Sequence, residues 1–124
     1  MTNSTGGPDF VSFQVRDIDA AAEFYEKAVG LNPLPAPNPH ARVFSTGEVT
    51  FAVRTPIPGV DLDAIEQLGA GIAVWFSSDD VAGVRQRVGD AGAEIVQEPF
   101  EGPFGTTFSF RDPDGYIVTV HSAR

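Results

Sequence analysis

A chain of 124 residues with 42% hydrophobic content, ten Phe and a net charge of −9 is long enough to bury a core and too apolar to remain disordered. Seventeen carboxylates against eight Lys and Arg argue against a nucleic-acid partner, which needs a positive surface, and no apolar run approaches the roughly 20 residues that span a membrane. The lack of cysteine removes disulfide and thiolate chemistry, and residues 1–8 form a polar tail with neither the basic cluster nor the apolar stretch of a secretory signal, so a cytoplasmic protein is expected.

From Phe10 to Val15, alternation places Val11, Phe13 and Val15 on one face of a strand and Phe10, Ser12 and Gln14 on the other. Asp17 can cap the helix that follows. In that helix Ile18, Ala21, Ala22, Tyr25 and Ala28-Val29 recur at helical spacing until Gly30 stops it, and its apolar side is expected to cover Val11, Phe13 and Val15. Four prolines between Leu31 and His40 exclude a helix or a central strand, leaving a rim loop or an edge. Arg42–Phe44 and Val49–Val53 flank Ser45-Thr46-Gly47-Glu48 as a hairpin with a Gly-containing turn. Pro56, Pro58 and Gly59 end this unit, and Asp61 to Leu68 reads as a short linker helix capped by Asp61 and closed by Gly69.

A second strand follows, with Ile72, Val74 and Phe76 on one face and Ala73, Trp75 and Ser77 on the other. The helix from Asp80 to Ala91 carries Val81, Val84, Val88 and Ala91 as its apolar stripe, although Gly83 and Gly89 each weaken it by up to about 1 kcal/mol relative to Ala. Glu94–Gln97 reads as a short strand, Glu101–Gly105 as a loop and Thr106–Phe110 as a strand. Arg111-Asp112-Pro113-Asp114-Gly115 is a turn. In the last strand, Tyr116 to His121, the residues Ile117, Thr119 and His121 share the face opposite Val118 and Val120.

The two strand-helix units are copies of one another. With Asp17 laid on Asp80, Phe10 falls on Ala73, Val11 on Val74, Ser12 on Trp75 and Phe13 on Phe76; with a one-residue slip, Val29-Gly30-Leu31 answers Ala91-Gly92-Ala93. The chain is therefore one domain of two repeats, about 9–58 and 70–124, joined by a linker at 59–69.

Three stretches together resemble the vicinal oxygen chelate superfamily, which contains glyoxalase I, extradiol dioxygenases, fosfomycin-resistance enzymes and bleomycin-resistance proteins. They are Val15-Arg16-Asp17 through Phe24-Tyr25 to Gly30-Leu31, then Ala91-Gly92-Ala93 with Glu98-Pro99-Phe100, and Phe110-Arg111-Asp112-Pro113-Asp114-Gly115. The resemblance implies an α+β fold of two βαβββ modules forming an open, barrel-like mixed sheet with the helices outside and alternate strand faces lining a cleft. Enzymes of this kind bind a divalent metal through His and Glu, one ligand from each of four strands, so that hard donors converge on a point. Aligned on the motifs, those four positions fall on Phe10, about Ala52, Ala73 and Thr119: three lack any donor side chain, and Thr is a weak ligand. The resemblance therefore points to no metal and no cofactor, and away from an enzyme.

The cleft so implied presents Phe10, Ser12, Gln14, Thr50, Trp75, Thr119 and His121, with Phe104 on a neighbouring loop; Ala52, Ala73 and Ser77 fill in between. An aromatic lining with a few hydroxyl and amide groups suits stacking on a planar or amphipathic ligand. It has no paired acid and base, no activated nucleophile and no phosphate cradle, since Gly102–Gly105 contains Pro103 and opens no helix. His40 belongs to the Pro-rich loop. The expected function is metal-independent binding of a small organic molecule, cationic or aromatic, as in the drug-sequestering bleomycin-resistance branch, which is typically a homodimer with clefts at the subunit boundary. Two alternatives stand beside it: a metal-dependent lyase, isomerase or dioxygenase with ligands relocated to His121, Glu48 or Glu101, and an interaction module whose cleft is filled by its own Phe and Trp side chains.

Overall fold

The computed structural model describes residues 3–35 and 38–122. The first module consists of β1 (Phe10–Gln14), α1 (Ile18–Glu23), β2 (Asn32–Leu34), β3 (Ala41–Thr46) and β4 (Val49–Arg54); the second consists of β5 (Val74–Ser77), α2 (Val81–Asp90), β6 (Ile95–Gly102), β7 (Gly105–Arg111) and β8 (Ile117–His121). Each module is βαβββ. Each builds a four-stranded mixed sheet of the same plan, β1-β4-β3-β2 and β5-β8-β7-β6, with the leading strand parallel to the last and the remaining pairs antiparallel. The sheets stay open and separate, without closing into a barrel.

The two aspartates overlaid in the sequence do the same job. Asp17 accepts from the amide of Ala20 at 3.1 Å and Asp80 from that of Gly83 at 2.9 Å, each occupying an orphan donor of a helix start. The approach at Gly83 is close: a Cβ on it would lie 2.1 Å from the Asp80 carboxylate, which would have to shift. The first helix continues past α1 as a π-helical segment, Phe24–Val29, in which the amides of Gly30 and Leu31 both donate to Tyr25 O. This segment buries Phe24, Tyr25, Ala28 and Val29, and Gly30 ends it at φ 95°, where a Cβ would be strained.

One core serves both modules. Phe13 and Val15 from β1, Phe51 and Val53 from β4, Phe76 from β5, and Val118 and Val120 from β8 are all buried, with Tyr25 among them. Phe51 meets Phe76 edge-on at 5.2 Å between centroids, and Tyr25 contacts Phe13, Phe51 and Phe76. Each such side chain contributes about 1.5–3 kcal/mol by leaving water. The Tyr25 hydroxyl donates to Asp112 at 2.6 Å, while the amides of Asp114, Gly115 and Tyr116 converge on the other Asp112 oxygen; this fixes the turn between β7 and β8.

Four expectations are corrected. The linker helix shortens to a single 3-10 turn, Leu62–Ala64, because only Leu62 and Leu68 of that segment are buried and a longer helix would have no face to pack. Ile72 lies outside β5 and is 77% exposed, so it does not share a buried face with Phe76. Ala91 caps α2 in the open and does not belong to its buried stripe. The loop expected at Glu101–Gly105 is only the turn Pro103-Phe104, since β6 runs on through Pro99 to Gly102; β6 is an edge strand with two register shifts, and an edge tolerates proline. The Pro-rich stretch holds the three-residue edge strand β2, as an edge requires.

Candidate ligand-binding site

Residues directly opposite in a register share a face. In the first sheet Phe10 opposes Thr50, Ser12 opposes Ala52 and Gln14 opposes Arg54, so Phe10, Ser12, Gln14 and Thr50 lie on the side away from the core. In the second sheet Trp75 opposes Thr119 and Ser77 opposes His121. The alternation read from the sequence therefore holds within each sheet. A single chain does not enclose these residues: Phe10 is 57% exposed, Trp75 45% and Phe104 59%.

On the second sheet the turn Pro103-Phe104 brings Phe104 over the end of β8. Trp75 meets Phe104 and His121 edge-on, each at 5.6 Å, and Phe104 meets His121 at 6.4 Å, so the three rings pack mutually near perpendicular. His121 Nδ1 lies 3.3 Å from Phe104 O, which ties the turn to β8. The Thr119 hydroxyl is 2.8 Å from that of Ser109, giving a hydroxyl pair beside the rings. Such edge contacts immobilise the rings in advance, so that a ligand stacking on their outer faces orders little. On the first sheet, Gln14 is committed: its carbonyl oxygen accepts from the Ile57 amide at 2.8 Å.

The four positions that the resemblance assigns to metal ligands hold Phe10, Ala52, Ala73 and Thr119, and among the described residues no three His, Asp or Glu side chains gather closely enough to hold an ion. A relocated set of His121, Glu48 and Glu101 is not assembled within one chain, and Glu101 instead accepts from the Thr106 hydroxyl at 2.6 Å. Among the described residues, a single chain assembles no donor set of the kind a divalent cation takes.

Of the eight Lys and Arg, Arg124 lies outside the described residues, and the others are held by partners: Arg16 by Asp63 and Asp114, Arg42 by Asp19, Arg85 by Glu98, Arg111 by Glu94, Lys27 by Glu26, and Arg54 and Arg87 by backbone carbonyls. The Asp63 and Asp114 carboxylates raise the pKa of Arg16, and Arg85 lowers that of Glu98.

A cleft of about 660 Å³ opens between the modules, where β5 faces the β3–β4 hairpin tip and Leu31; of the residues expected to line a cleft it takes in Ala73, Trp75 and Ser77, and the rest of its lining was not read from the sequence. Its floor includes Val11, Phe51 and Phe76, which alternation assigns to the core; the gap arises from how the sheets are set against each other, which periodicity does not encode. This opening weighs against a chain whose cleft is filled by its own rings.

A profile of the glyoxalase/bleomycin resistance protein/dioxygenase superfamily matches residues 7–120. A protein of Shouchella clausii named metallothiol transferase FosB is 29% identical over 121 residues, covering 94% of this chain and 80% of its own. The glyoxylase/bleomycin resistance protein/dioxygenase domain of Frankia sp. EAN1pec superposes with a TM-score of 0.75 at 24% identity, over 98% of this chain and 94% of that one. TnmS3 of Streptomyces sp. CB03234, described as an antibiotic binding protein, superposes with a TM-score of 0.71 at 22% identity, over 100% and 99% of the two chains. At these identities the two structures share the fold.

Proposed function

The chain belongs to the glyoxalase/bleomycin resistance protein/dioxygenase superfamily, and from that membership we propose that it binds a small, planar or aromatic organic molecule without a metal ion. The observation that carries this is the exposed Trp75 ring, held edge-on by Phe104 and His121 and left half open to solvent. An indole immobilised at a surface presents a large apolar face at little entropic cost, and the Ser109–Thr119 hydroxyl pair offers hydrogen bonds to orient what stacks there. Phe10, Ser12 and Thr50 on the outer face of the first sheet complete the site when a second copy of the chain covers the second sheet. Homodimerisation thus buries rings that one chain leaves in water. Antibiotic sequestration in the cytoplasm is the use that fits best: it asks only for affinity, and a protein described as antibiotic-binding has this fold.

The name of the Shouchella relative favours one rival, a metal-dependent enzyme. Metal analysis of purified protein separates the two, because a stoichiometric transition metal supports only the rival. The direct test is a panel of planar drugs followed by Trp75 fluorescence and melting temperature. A saturable response is expected, and silence across the panel would reject the proposal.

A further inference from the structure

We infer that the cleft between the two modules, floored by Val11, Phe51 and Val74 and edged by Asn32, Ser45 and Ser77, is a second binding site that takes an uncharged, largely apolar molecule. It adjoins the ring cluster through Trp75 and through Ser77, the register partner of His121, but its floor lies apart from those rings and it draws on both modules. Its volume of about 660 Å³ falls within the range of drug-sized ligand sites.

Three properties define the occupant. The floor is aromatic and branched aliphatic, so apolar area drives binding. The side-chain amide of Asn32 and the hydroxyls of Ser45 and Ser77 make no hydrogen bond to other described residues, so they are available to a carbonyl, hydroxyl or amine on the ligand. No residue lining the cleft carries a charge, and the basic side chains of the described residues are all held elsewhere. An anion entering this cleft would lose hydration with no cation to receive it, in a molecule whose net charge is already −9.

The test uses two probes of nearly one shape, neutral N-phenyl-1-naphthylamine and its anionic 8-sulfonate, titrated into the natural chain with fluorescence and amide NMR. The neutral probe is expected to bind saturably, about tenfold or more tighter than the sulfonate, and to shift amides at 30–32, 45–51 and 73–77. Ser45→Arg, which sets a cation at the rim, is expected to narrow that ratio. The inference is overturned by an absence of saturable binding, by equal affinity for the sulfonate, or by shifts confined to Phe104, Thr119 and His121.

Discussion

The rings of Phe13 and Tyr116 stack 4.1 Å apart at an interplanar angle of 20°, and this pair joins the start of the first module to the last turn of the second. The Tyr116 hydroxyl adds a hydrogen bond to Gln14 O at 2.7 Å, so one side chain links the modules through its ring and its tip. Tyr116→Phe keeps the stack and loses one hydrogen bond, an expected cost of about 1 kcal/mol. Tyr116→Ala loses both and should cost about 3–5 kcal/mol. Urea unfolding measures the two, and equal losses would show that the stack contributes nothing.

Asp112 supplies the pH dependence. Burial raises its pKa, partly offset by hydrogen bonds from the Tyr25 hydroxyl and from the Tyr116 and Asp114 amides. A carboxyl whose folded pKa lies above its unfolded one favours folding in its protonated form. Its contribution is therefore complete below the ordinary aspartate range and lost as pH rises through the folded value. Asp112→Asn keeps an oxygen for the three backbone amides and has nothing to titrate. Guanidinium unfolding at a series of acidic pH values should show the natural chain losing ground to the variant as pH rises; parallel profiles would contradict this. Glu98, held down by Arg85, is present in both proteins and cancels.

The ring cluster gives a prediction for binding. Trp75→Ala should weaken a bound planar ligand by about 2 kcal/mol, roughly thirtyfold, and Phe104→Ala by less, because Phe104 mainly positions the indole. Both residues are exposed within a single chain, so each variant should keep its fold, as read by far-ultraviolet circular dichroism. Isothermal titration of each variant measures the affinities. An unchanged affinity in Trp75→Ala would place the ligand elsewhere.

Exposed Phe10, Trp75, Phe100 and Phe104 call for a cover. Sedimentation at micromolar concentration should give a species of twice the 13.2 kDa chain mass, and Phe10→Glu combined with Trp75→Glu should shift it to the monomer. A natural chain that sediments as a monomer at every concentration would remove the second copy from the site.

Much of this fold is written locally in the chain. Asp17, Asp80 and Gly30 mark helix ends through hydrogen bonds and dihedrals set within a few residues, and the alternation of Val118 and Val120 against Thr119 and His121 follows from the pleat alone. The repeat gave the module plan for the same reason, since each copy forms its own sheet. Features that depend on distant partners were not legible. The linker stayed a single turn because little of it found a core, β6 ran through Pro99 because its other edge is free, and the inter-module cleft is a property of two sheets, not of either strand pattern. Among the candidate site residues, alternation named the face correctly for Ser12, Thr50, Trp75 and Thr119. It had no means of showing that Gln14 is occupied by Ile57, or that Phe104 and His121 pack against the indole.

Metal-independent binding is tested most directly by calorimetric titration of a planar drug that gives a saturable signal, before and after the protein is stripped with a chelator and verified free of transition metals. The expected result is the same affinity and stoichiometry in both samples, with binding weakened by Trp75→Ala. Binding that vanishes on stripping and returns with a divalent ion would contradict it.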